Sequence, residues 1–182
     1  MTKEKDNFWS NLVDETSKEA SKGGYLKLQP GDNKIRVVGN PISGYIDWDC
    51  TDPQKPNGKP VRSPLKLGKP VPLNPGNAEK QPKIFWAMEV YDYATESIKI
   101  WEVASGTIRE KLEGFIKNSD YGPLTEYNLT INKTGSGLTT KYEVIPSPPK
   151  PAEAKVIQAT MEIVCNLEAL YDGGDPFATM PK

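Results

Sequence analysis

The chain has 182 residues, enough for one domain with a real core plus tails, and its 23 lysines and arginines nearly balance 24 aspartates and glutamates. It has no histidine and only two cysteines, Cys50 and Cys165. That excludes Ser-His and Cys-His nucleophiles, a multi-disulfide framework and a zinc site completed by histidine. With no P-loop or dinucleotide glycine fingerprint either, the sequence argues for a binding protein that is not an enzyme and needs no cofactor. No apolar run reaches membrane-spanning length and "MTKEKDNFWS" lacks a signal-peptide core, so the expected location is cytoplasmic, with no membrane partner.

Residues 1–24 read as an N-terminal arm or short helix with a weak stripe of Phe8, Trp9, Leu12 and Val13. "KIRVVGNPISGYIDWDC" (34–50) alternates as a strand does. Gly39, Pro41 and Gly44 inside it imply a bend, so we read one long, bent first strand. Residues 51–83 hold eight of the 17 prolines and keep neither a helical nor a strand period. A loop of that length inside a domain is usually functional or disordered. Between residues 53 and 83 the cations Lys55, Lys59, Arg62, Lys66, Lys69, Lys80 and Lys83 meet one acid, Glu79. Residues 151–182 carry the opposite bias, and such polarity hints at an anionic partner.

Strands are expected at 84–93 and 98–103. A two-residue turn at Thr95-Glu96 pairs Tyr93 with Ile98, Tyr91 with Ile100 and Glu89 with Glu102. "GTIREKLEGFIKN" (106–118) is a helix, with capping-box spacing between Thr107 and Glu110 and a stripe of Ile108, Leu112, Phe115 and Ile116. "TEYNLTINK" and "LTTKYEVI" form a hairpin around "TGSG", with Tyr127, Leu129, Ile131, Tyr142 and Val144 inside. "PSPPKP" (146–151) is a stiff linker. A second helix follows from 152, with an apolar face from Val156 to Tyr171 that packs on the barrel or on a second copy. "DPFATMPK" is a loose tail.

Strand, strand, strand, helix, strand, strand is the order of a five-stranded OB-fold barrel, with its helix between the third and fourth strands. We therefore expect a mainly β chain with an OB-fold domain over 25–146, interrupted by the basic insertion 51–83. Residues 147–182 form the linker, a helix and a mildly acidic tail. Burying Glu89 directly opposite Glu102 would cost several kcal/mol, on the order of an unpaired buried charge. The face with Phe85, Tyr91 and Tyr93 should then be outside, and the face with Trp86 and Trp101 should be core. The competing reading is that the C-terminal helix or the N-terminal arm covers those rings. Bases would stack on Phe85, Tyr91, Tyr93 and Trp48, while Lys55, Lys59, Arg62, Lys66 and Lys69 clamp phosphates. Lys34, Arg36 and Lys141 are further cations on outward strand positions, and Lys133 stands beside the loop "KTGSG". An adaptor that docks an acidic protein through the basic loop is the alternative function.

The run from "FWAMEVYDYATESIKIWEV" through "DYGP" to "GSGLTTKYEVIPSPPKP", with the first strand before it, resembles the single-stranded DNA-binding proteins of tailed bacteriophages over roughly residues 25–151. The resemblance implies an OB-fold protein that coats single-stranded DNA without sequence preference in phage replication, recombination and repair. It also implies a C-terminal segment that recruits replication or recombination proteins. Asp172 and the Asp175-Pro176-Phe177 run look like that segment, although the chain ends in Pro-Lys instead of an acidic terminus.

Overall fold

The computed structural model describes residues 24–177. The expected N-terminal helix and the last five residues of the tail lie outside them. Within that range the chain is mainly β, an open antiparallel sheet of seven strands. The strands are β1 (Gly31–Val37), β2 (Ile42–Asp49), β3 (Lys59–Pro64), β4 (Lys83–Asp92), β5 (Ser97–Val103), β6 (Asn128–Thr134) and β7 (Lys141–Pro146). Two α-helices join them, α1 (Gly106–Lys117) between β5 and β6 and α2 (Ala154–Glu162) after β7. The sheet runs β3-β2-β4-β1-β6-β7, with β5 on the other edge of β4.

The expected bent strand is β1 plus β2. It breaks at residues 38–41, where Pro41 has no N–H to give, and both halves then pair with β4. Val38 N still donates to Glu89 O at 3.0 Å across the bend.

The sheet is not a closed five-stranded barrel. Among the described residues no pairing joins β5 to β7, because the free edge of β5 is taken by the start of the described chain. Leu26 N donates to Ile100 O at 2.8 Å and Ile100 N donates to Gly24 O at 2.9 Å.

The main core lies between this sheet and α1. Ile35 and Val37 of β1, Met88 and Val90 of β4, Trp101 of β5 and Leu129 and Ile131 of β6 meet Ile108 and Leu112 of α1 there. The β6–β7 register, Ile131 opposite Val144 and Lys133 opposite Tyr142, puts the expected residues of that hairpin inside. Ser105, not Thr107, caps α1, its Oγ accepting from Ile108 N at 3.5 Å. Trp101 is buried as expected, but Trp86 sits half-buried at the rim of this core.

Three expectations fail for connected reasons. First, the β4–β5 turn spans four residues, Tyr93 to Glu96, because the Asp92 carboxylate accepts from Ala94 N at 3.0 Å and Thr95 Oγ1 at 2.8 Å. The register becomes Tyr91 to Ile98, Glu89 to Ile100 and Ala87 to Glu102, so the two glutamates are never opposed. The premise for leaving that face bare therefore disappears.

Second, the expected long C-terminal helix stops at Glu162. Ile163 is extended (φ −124, ψ 124), as a β-branched pair Ile163-Val164 favours, and a 3-10 turn follows at Leu167–Asp172. Bent in this way, the segment lies over the sheet. Leu167 and Leu170 cover Phe85, Ala87, Ile46 and Ile100, while Val156 covers Tyr91 and Ile98.

Third, the insertion is not structureless. Its middle is β3, paired with β2 from Asp49–Lys59 to Gly44–Pro64. Residues after it fold back on β2 through the buried Asp47 carboxylate, which accepts from Leu73 N at 2.8 Å.

Candidate nucleic-acid interface

Of the rings expected to form an open platform, Phe85 is 0 % and Tyr91 2 % exposed. Both are corrected from binding residues to core, covered by the C-terminal segment. Gly44 shows how tight that cover is. A Cβ there would meet Ser63 O at 2.2 Å and both the Phe85 and Tyr171 rings at 3.1 Å. Tyr171 Oη also donates to Ser43 O at 2.8 Å, fastening the segment to β2.

Tyr93 is half-buried and already engaged. It stands edge-on to Tyr91 with centroids 5.0 Å apart, and Lys34 Nζ lies 4.3 Å and Lys155 Nζ 5.3 Å from its ring centre. Its hydroxyl is 3.2 Å from Glu153 Oε1 and 3.3 Å from Asn128 Oδ1. Burial and then the Glu153 carboxylate push its pKa up. Trp48 is half-buried where β2 meets the insertion, opposite Pro60, and packs beside the Ile46–Phe85 cluster.

The expected cations divide into two groups. Arg36, 3 % exposed, is no outward cation. Its guanidinium donates to Thr125 O at 2.6 Å, Lys150 O at 2.9 Å and Asn128 Oδ1 at 3.3 Å, tying β1 to the chain before β6 and to the proline-rich linker. Arg62 is no phosphate clamp in this conformation either. It holds Glu102 through Nη2–Oε1 at 2.6 Å and Nε–Oε2 at 3.2 Å. Lys80 Nζ lies 3.1 Å from Cys50 Sγ, and Lys133 Nζ donates to Leu28 O at 3.1 Å.

Lys55, Lys59, Lys66, Lys69 and Lys83 form the second group, all exposed, with no salt bridge to any of them among the described residues. Lys34 and Lys141 are exposed as well. The insertion thus gives its one arginine and Lys80 to structure and keeps its other lysines for solvent.

Sequence reasoning missed where these lysines lead. Lys69 and Lys83 line an open cleft of about 610 Å³ together with Tyr45 of β2 and Ser105, Gly106 and Arg109 at the start of α1. Arg109 carried no signal in the sequence, since a helix arginine is ordinarily solvated. Tyr45 and Trp86 share the face of β2 and β4 opposite Phe85, as the pairs Tyr45–Ile84 and Ser43–Trp86 require, and both are partly exposed.

The tail is packed, not loose, up to its last described residue. Pro176 is buried, its carbonyl accepting from Asn166 N at 2.8 Å, and Phe177 packs beside the Phe85 cluster. Asp172 and Asp175 stay exposed. Among the described residues no group of acids and cysteines could hold a metal ion, and no helix is long and apolar enough to cross a membrane.

Comparison with family models, curated proteins and solved structures finds no significant match.

Proposed function

We propose that the chain is a non-enzymatic protein that binds single-stranded DNA without sequence preference, serving phage DNA replication, recombination and repair. The observation that carries this reading is the strongly basic insertion, whose five exposed lysines make no salt bridge among the described residues. Cations left unpaired on a long arm suit a flexible polyanion, because each phosphate neutralised releases condensed counterions. The order of strands and the position of α1 support an OB-like arrangement opened at the β5 edge, and the resemblance to tailed-phage proteins points the same way. A segment of the tail would contact replication or recombination proteins through Asp172 and Asp175.

Of the rings the sequence nominated, Trp48 alone keeps a stacking role, and Tyr45 and Trp86 join it. Tyr45, Trp48 and Trp86 are partly exposed, and a base stacked on one contributes about 1–3 kcal/mol. Five phosphate contacts give log K against log salt a slope of about −3.5 for a single strand.

The test is a titration of intrinsic fluorescence with oligo-dT at low and moderate salt, repeated with a duplex of equal length. Salt-sensitive quenching by the single strand alone is the expected result. Equal weak binding to both would reduce the arm to a sticky loop, and no binding would overturn the proposal.

A further inference from the structure

The cleft at the start of α1 concentrates positive charge that the protein does not neutralise. Lys69, Lys83 and Arg109 converge on it, and no carboxylate lines it. The first turn of α1 has no acidic residue. Helix N-termini carry a partial positive charge, so a carboxylate is the usual neighbour and a guanidinium an unfavourable one.

Arg109 nevertheless turns back toward that end. A Cβ placed on Gly106 would lie 3.9 Å from Arg109 Nη2. Its Nε is buried and has no acceptor among the described residues. The contrast with Arg62 is informative, since Arg62 is also partly buried and finds both oxygens of Glu102. A guanidinium held among like charges, with its fork unanswered, is set for an acceptor from outside.

The rest of the cleft fits an oxyanion of modest size. The amides of Gly106 and Thr107, in the first turn, have no intrahelical acceptors. Gly106 adds no side chain to crowd them. Arginine forks match phosphate oxygens in pairs, and the two lysines add point charge. Tyr45 on the wall offers a ring beside the phosphate.

We propose that this cleft is a phosphate-binding pocket, in which Arg109, Lys83 and Lys69, helped by the first-turn amides of α1, seat one phosphate group. That the phosphate belongs to a single DNA strand rests on the function proposed above; the pocket itself does not. The pocket anchors the strand where the lysine arm returns to the sheet, and Tyr45 takes the adjacent base.

Two arms test it on the full chain. In the first, inorganic phosphate is titrated against amide resonances, with chloride at matched ionic strength as control. Saturable shifts at Gly106 and Thr107, lost in Arg109→Gln, are expected. In the second, oligo-dT affinity is measured for the native chain, R109Q and K83Q. Each substitution should weaken binding about 3- to 10-fold and flatten the salt slope by about 0.7. Lys83 is exposed, so K83Q keeps the proposal testable if R109Q fails to fold.

Oligo-dT binding that both variants leave unchanged, without shifts at residues 106 and 107, would overturn the pocket and spare the function. Phosphate shifts without oligo-dT affinity would support the pocket as a free-phosphate site while overturning single-strand binding. Neither shifts nor oligo-dT binding would overturn both.

Discussion

Arg62 of β3 grips Glu102 of β5 across the intervening strands β2 and β4, with both oxygens of the carboxylate engaged and the shorter contact at 2.6 Å. The two side chains are 11 % and 18 % exposed. The pair therefore clamps the insertion to the far side of the sheet, and little solvent remains to screen it.

Replacing either partner leaves the other charge half-desolvated. Arg62→Ala should lower stability by about 2–4 kcal/mol, near the range for breaking a buried pair. Arg62→Lys should recover only part of this, because an ammonium cannot fork to two oxygens. Chemical denaturation with Glu102→Gln and the double variant measures the coupling directly.

The exposed lysines should behave in the opposite way. Lys59→Gln and Lys66→Gln are expected to leave the melting temperature unchanged while each reduces the salt slope of oligo-dT binding by about 0.7. Arg36→Ala should do the reverse, costing stability through three lost hydrogen bonds. Parallel melting and binding curves separate the two groups.

Glu89 supplies a pH dependence. Burial raises its pKa from 4.5, only partly offset by a hydrogen bond with Cys165. The folded chain then holds this proton more tightly than the unfolded one. Stability falls as pH rises from about the ordinary carboxylate value through the raised folded value, and is not regained above it. Glu89→Gln should melt higher than the native chain at neutral pH, and the difference should vanish in acid. A melting series over that window checks the sign.

Cys165 should be inert when folded. Burial, and after it the Glu89 carboxylate, pushes its thiol pKa up to about 12, so almost no thiolate exists at pH 8. Alkylation at that pH should reach Cys165 only after denaturant is added, as peptide mapping would show.

The cover over the strand pair is testable by removing its anchors. Leu170 is 2 % exposed and packs with Phe85 and Ile100. Leu170→Ala should cost about 2–5 kcal/mol and increase binding of a hydrophobic dye. A free tail would predict no change in either.

Strand alternation and the stripe on α1 were legible in the sequence because they are local. They placed β1 with β2, β4, β5, α1, β6 and β7 correctly. What escaped was long-range. Asp92 widened a turn by two residues, which kept every side chain on its expected face and yet removed the Glu89–Glu102 clash that had assigned the faces. Nothing in "AEAKVIQATMEIVCNLEALYDGG" announces that Ile163 will straighten the chain and fold Leu167 and Leu170 over Phe85. The basic arm was visible as composition. That Arg62 belongs to Glu102, and that Lys69 and Lys83 meet Arg109, depends on which strands become neighbours.

The prolines of β3 bear on how such an arm stays tractable. A strand at the margin of a sheet offers its spare N–H and C=O groups to any extended peptide, including an identical one. Pro60 and Pro64 leave at most four amide donors in this six-residue strand. A second molecule cannot zip along it, even when polyanions crowd many copies together. The arm can thus be adhesive toward charge while staying inert toward backbone, so crowding on one ligand need not become fibre growth.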